Sequence, residues 1–182
     1  MSVPVASERV LTDDQIRQVL ERRAKELART SKEDVVQDFS EFIIVTIGLE
    51  KLALEIRSIQ EIQTLRGLTS VPGANDVWSG VVNLRGRLLP VLDLARTLGI
   101  PSESRETNNG GRIVVVSLGQ YHMGLLVEDV LGVKEIPNGS IRPSLVDSSS
   151  QAREIISGIT ADMISVLDLN ALASDPRVMI QE

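Results

Sequence analysis

At 182 residues the chain is long enough to bury a core. Hydrophobic residues make up an ordinary 42%, but aromatics only 2%, so the core must be aliphatic and, in strands, largely β-branched. The lack of cysteine excludes disulfides and thiolate metal sites and fits a reducing compartment, and a net charge of −6 argues against a nucleic-acid surface, which lysine and arginine must supply.

Residues 1–10 show no charged start followed by an apolar stretch, and no run reaches the roughly 18 apolar residues of a membrane span. A soluble, cytoplasmic protein without membrane insertion is expected. Residues 12–29 predict an amphipathic helix, with Ile16, Val19, Leu20, Ala24, Leu27 and Ala28 on one face. Thr12 and Gln15 form a capping box, and Asp13 and Asp14 suit the positive end of the helix dipole. Residues 30–38 are polar and read as a linker. The chain thus divides into an N-terminal extension, 1–38, a folded body, 39–175, and a short tail, 176–182.

Within the body the period changes. Residues 42–47 form an apolar, β-branched run, Gly48-Leu49-Glu50-Lys51 is a turn, and Leu52, Leu54 and Ile56 alternate with Ala53 and Glu55 as in a half-buried strand. Ile59-Gln60-Glu61-Ile62 is a further short strand. Residues 64–79, with Pro72-Gly73 and the sole tryptophan, Trp78, make an irregular connection that Trp78 is expected to anchor.

Residues 80–94 carry strand, turn, strand and helix start. Val81-Val82 on one side and Leu88-Leu89 with Val91-Leu92 on the other flank Asn83-Leu84-Arg85-Gly86-Arg87, where Gly86 permits a tight reversal and sets Arg85 at a hairpin tip. Asp93 then caps a short helix that stops at Gly99, ahead of Pro101. The polar stretch 101–111 is a joint, and beyond it the pattern restarts. Phe42-Ile43-Ile44-Val45-Thr46-Ile47-Gly48 matches Ile113-Val114-Val115-Val116-Ser117-Leu118-Gly119, and the register holds through Leu52/Met123, Leu54/Leu125, Ile56/Val127 and Ile59/Val130. Gly158-Ile159 stands to Gly80-Val81, and Val166-Leu167-Asp168-Leu169 echoes Val91-Leu92-Asp93-Leu94.

The implied fold is mainly β: two duplicated lobes, about 39–100 and 112–175, each a small five-stranded SH3-like barrel with a short helix after its Val-Leu-Asp-Leu. The lobes differ at one place. Lobe one has the arginine turn, whereas lobe two has only Thr160-Ala161-Asp162-Met163-Ile164. A feature kept in one copy alone is expected to serve something other than the shared fold.

Catalytic readings fare poorly. Asp93 and Asp168, one carboxylate per lobe, resemble an aspartic-protease pair, but each is followed by leucine and opens a helix, so capping explains both. His122 is the only histidine, sits in a hairpin turn without a second ligand, and reads as a surface residue. There is no nucleophile elbow and no phosphate loop ending in Lys-Ser or Lys-Thr. No catalytic residue, metal or cofactor is expected.

In Asn-Leu-Arg-Gly at 83–86 followed by Pro-Val-Leu-Asp-Leu, in Ile-Gln-Glu-Ile at 59–62, and in Gly-Leu-Leu-Val-Glu-Asp-Val at 124–130, the chain resembles the CheW family of chemotaxis coupling proteins. The resemblance spans about 39–175 and implies an adaptor that bridges the cytoplasmic tip of a chemoreceptor (a methyl-accepting chemotaxis protein) to a CheA-type histidine kinase. By that likeness Ile59, Glu61, Asn83, Leu84, Arg85 and Gly86 bind the receptor in a groove between lobes. The strand containing Gly124, Leu125 and Val127 faces the kinase's regulatory domain. The N-terminal extension departs from a minimal member and leaves room for a pilus-motility or other alternative array. The resemblance also implies recruitment to receptor arrays.

Overall fold

The computed structural model describes residues 38–101, 110–144, 152 and 154–179, so the helix expected over 12–29 lies outside the described residues. Ten strands follow in order: β1 (Phe39–Ile47), β2 (Glu50–Glu55), β3 (Ile59–Thr64), β4 (Trp78–Leu84), β5 (Arg87–Asp93), β6 (Arg112–Leu118), β7 (Tyr121–Val127), β8 (Asp129–Pro137), β9 (Ile156–Ile159) and β10 (Ser165–Leu167). Short helices α1 (Leu94–Leu98) and α2 (Leu169–Ala173) follow β5 and β10.

The strands make two five-stranded sheets, β8-β1-β2-β10-β9 and β3-β6-β7-β5-β4. Two SH3-like lobes are therefore present, but neither is one half of the sequence. Each half gives its first hairpin to the other half's sheet: β1 and β2 join β8, β9 and β10, while β6 and β7 join β3, β4 and β5. This corrects the division into 39–100 and 112–175. The physical reason lies after β2, where a 3₁₀ turn, Ile56–Ser58, replaces a hairpin reversal and sends the chain into the second sheet as β3. The exchange also creates two parallel pairs, β2 with β10 and β5 with β7.

Strand exchange explains the runs that do not alternate. Along β1, Ile43, Val45 and Ile47 enter a core drawn from both sheets, while Phe42 and Ile44 pack with Ala53, Ile136, Ile164 and Val166 inside their own lobe. Along β6, Val114, Val116 and Leu118 enter the shared core, and Ile113 and Val115 pack with Leu65, Val82, Leu89 and Val91. Strands buried on both faces need apolar residues at every position.

The echoing glycines prove to close the lobes. Beyond β3 the chain bridges the far edge of the same sheet, with Thr69 and Val81 exchanging two N–H···O bonds of 2.9 Å. Beyond β8, Arg142 and Ile159 exchange bonds of 3.0 and 2.8 Å. A Cβ on Gly80, which has φ +142°, would overlap the Thr69 carbonyl, and one on Gly158 would lie 2.6 Å from the Arg142 carbonyl oxygen. Only glycine lets the closing backbone approach this closely.

Both aspartates cap as expected. The Asp93 carboxylate accepts from the Arg96 N–H at 2.9 Å, and that of Asp168 accepts from Asn170 and Ala171 at 2.9 and 3.0 Å. Trp78 packs half-buried against the shared core at the end of the connection. Among the described residues no helix is long and apolar enough to cross a membrane.

Candidate functional site: a cleft under the arginine hairpin

β4 and β5 form a two-residue hairpin in which Leu84 pairs with Arg87 and the turn is Arg85-Gly86, both with positive φ, 50° and 85°. That is the type I′ geometry whose twist suits a hairpin. Asn83 holds it from within, since its Oδ1 accepts from the Gly86 N–H at 2.8 Å. Gly86 takes its dihedral without strain, whereas Arg85, a non-glycine residue in the left-handed region, costs about 1 kcal/mol.

Arg85 is directed across the sheet. Its Nη2 donates to Oε2 of Glu61 on β3 at 2.8 Å, and Gln63 donates to the same oxygen at 3.3 Å. The Arg85 side chain is 78% exposed, so the ion pair contributes less than about 1 kcal/mol. Strain and ion pair roughly cancel. Stability therefore does not account for an arginine at this position, and residues held in strain of this kind collect at functional sites.

Beneath the pair lies a cleft of about 560 Å³. Gln60 and Glu61 of β3, Leu84 of β4, Arg87, Leu88 and Leu89 of β5, Val115 of β6 and His122 of β7 line it together with Arg85. All these residues belong to one sheet and its hairpin, so the cleft is not the groove between lobes that the resemblance implies; the exchange of β6 and β7 builds it within one sheet. Its charged rim and apolar floor suit a protein segment rather than a reacting small molecule. Among the described residues no group of three histidine, aspartate or glutamate side chains could hold a metal.

Of the residues expected at the receptor site, Glu61, Leu84 and Arg85 come together here. Ile59 does not; it packs half-buried on the shared core. Asn83 and Gly86 build the turn and do not line the cleft. The kinase-facing set needs correction. Leu125 is 0% and Val127 3% exposed, both within the shared core, and a Cβ on Gly124 would lie 2.6 Å from the Ile113 Cγ2. β7 is the central strand of its sheet and all three residues are buried, so their side chains form core rather than an exposed surface.

Sequence reasoning missed Gln60, Arg87, Leu88, Leu89, Val115 and His122 as cleft residues. A signal for Leu88 was available: consecutive leucines on a strand face opposite ways, and with Leu89 buried, Leu88 must point outward, where it is 73% exposed. His122 is indeed exposed, yet it lines the cleft.

The model of the CheW-like domain matches residues 41–177. The chain belongs to the CheW-like domain family. It is 29% identical over 143 residues to the chemotaxis protein CheW of Klebsiella aerogenes, covering 77% of this chain and 85% of that protein. To a probable chemotaxis protein CheW of Rhizobium etli it is 32% identical over 138 residues, covering 74% and 88%. The crystal structure of the scaffolding protein TtCheW from Thermoanaerobacter tengcongensis shares the fold, with TM-score 0.67 and 24% identity over 79% of this chain and 99% of that one. As a CheW-like protein the chain is a chemotaxis-type signalling adaptor and not an enzyme, and the family's scaffold role is to couple receptors to a CheA-type kinase.

Proposed function

We propose that the cleft under the arginine hairpin receives the cytoplasmic tip of a chemoreceptor, and that a separate face on β8 meets the kinase's regulatory domain. The observation that carries the first part is the Glu61–Arg85 pair, which joins residues far apart in sequence on the rim of an apolar-floored cleft. The equivalent hairpin in the second copy of the repeat, β9–β10, is shorter and has no arginine turn. An amphipathic receptor helix would lay its apolar face on Leu84 and Leu89 while the ion pair sets its register. β8 supports the second part. It is an edge strand whose Leu131 and Val133 are 55% and 58% exposed, immediately after the strand to which the family likeness points. Holding two partners at once raises their effective concentration for each other, which changes kinase activity without any chemistry by the adaptor. It also recruits the protein to receptor arrays.

Paired titrations of the full chain test the two faces, one against a soluble chemoreceptor hairpin fragment and one against the kinase's CheW-like domain. Arg85→Glu is expected to weaken the first by about tenfold and spare the second, and Val133→Asp to do the reverse. If either variant weakened both equally while remaining folded, the division into two faces would be wrong.

A further inference from the structure

One cross-strand pair differs in kind between the two lobes. Where β3 meets β6, Thr64 lies opposite Arg112, and the Arg112 Nη1 donates to the Thr64 Oγ1 at 2.9 Å. The repeat that matches Phe42 to Ile113 and Ile59 to Val130 puts Glu41 at the position of Arg112 and Glu135 at that of Thr64. These two are likewise direct partners, on β1 and β8, and both are exposed. A bonded pair in one lobe is therefore a pair of carboxylates in the other, and like charges directly opposite destabilise a sheet. Neither glutamate has an ion pair or a side-chain hydrogen bond among the described residues. Lys134, the neighbour of Glu135, points to the other face of the sheet and is bonded to Asp162 in the β9–β10 turn. Paired residues and residues two apart share a face, so the two carboxylates have Phe39 opposite Pro137 on one side and Val133 opposite Ile43 on the other. Phe39 is 51% and Val133 58% exposed. The register shift between Ile44 and Val45, together with Pro137, blunts the β8 edge against strand addition, so it is this face that is open to a partner.

We infer that the β1–β8 face takes a basic side chain of the kinase's regulatory domain, an arginine or lysine seated between Glu41 and Glu135, with apolar side chains on either side of it meeting Phe39 and Val133. This rests on the kinase reading of β8 and assigns the chemistry that β8 selects. Charge complementarity picks the occupant. Two acids held side by side repel each other in the free protein, and a cation placed between them converts that repulsion into two charge-assisted hydrogen bonds. The flanking apolar contacts exclude water from the pair, which strengthens both bonds. The matching face of the other lobe, where Arg112 is bonded to Thr64, presents a cation in place of an acid pair, so only one of the two lobes suits a basic partner.

The test uses the full chain and the CheW-like regulatory domain of a CheA-type kinase from the same organism, titrated by fluorescence anisotropy, with a thermal melt of every variant. Glu135→Lys is expected to stay folded, since the new lysine faces Glu41, and to weaken binding about tenfold; reversal of one basic residue on the kinase domain should restore it. Glu41→Gln and Glu135→Gln should each weaken binding about threefold while raising the melting temperature, because the repulsion is relieved. A fall in melting temperature for both would contradict the repulsion on which the inference rests. If Val133→Asp abolishes binding while Glu135→Lys leaves it unchanged, the kinase reading of β8 stands and the role of the carboxylates is refuted. If wild type does not bind the domain, or Val133→Asp binds as well as wild type, the kinase reading itself fails. Self-association abolished by Glu135→Lys, seen by sedimentation without binding to the kinase domain, would assign the face to a second copy and overturn the inference.

Discussion

The two copies of the repeat differ most where β4 turns into β5 and where β9 turns into β10. The first is a two-residue turn on seven-residue strands, with Arg85 at φ 50°. The second joins strands of four and three residues through a wider turn, in which Thr160 and Ile164 are bonded N–H to O at 3.0 Å and the positive-φ residue is Met163, at 59°. Both turns contain a strained non-glycine residue, but only that of the longer hairpin lines the cleft described above. Around them the copies agree: a glycine where the lobe closes, an aspartate capping a five-residue helix, and a first hairpin given to the other sheet. The comparison teaches which residues maintain the fold and which are available for recognition.

The largest effect should come from the closing glycines. Gly80→Ala forces a Cβ into the Thr69 carbonyl at a positive φ, and a loss of about 3 kcal/mol or more is expected by chemical denaturation. Gly158→Ala meets a carbonyl at 2.6 Å without that backbone penalty and should lose about 2 kcal/mol. Losses below about 1 kcal/mol at both sites would show that lobe closure is not what these glycines provide.

A smaller effect separates the two helix ends. α1 stops at Gly99 in the left-handed region, whereas α2 stops at Ser174, and the chain is then turned by Asp175. The Asp175 carboxylate accepts from the Arg177 N–H at 2.8 Å and from Nη2 at 2.6 Å. Hydrogen bonding from the Arg177 side chain holds the Asp175 carboxyl below its usual 3.8, against the opposing effect of burial. A carboxyl whose folded pKa is depressed stabilises the fold above its unfolded pKa and loses that stabilisation as pH falls through the folded value. Asp175→Asn should therefore lower the melting temperature by a few degrees at pH 7, from about 1 kcal/mol, with the gap to wild type closing below pH 3.8. A gap that stayed constant into acid would rule out the charge as its source.

Much of this was legible in the sequence. Residues 42–47 and 113–118 announced paired strands, Asp93 and Asp168 announced caps, and the Gly-Val and Gly-Ile echoes marked equivalent positions. What local pattern could not carry was partnership between strands. Nothing in Leu125 or Val127 says that β7 lies between β6 and β5, which is why an apolar strand read as a kinase face is in fact core. The cleft was half legible for the same reason. The arginine turn stood out, but its distance to Glu61 and the presence of His122 beneath it depend on β3, β6 and β7 sharing a sheet.

One pair of substitutions tests most directly whether the arginine hairpin is the recognition element. Arg85→Glu and Met163→Glu place the same side chain on the positive-φ residue of each turn, Arg85 beside Glu61 and Met163, 71% exposed, away from the cleft. With both proteins folded, binding to the chemoreceptor hairpin fragment is expected to fall about tenfold for Arg85→Glu and to be unchanged for Met163→Glu. Equal affinities for the two variants, whether both lost or both kept, would contradict the assignment of receptor recognition to the arginine hairpin.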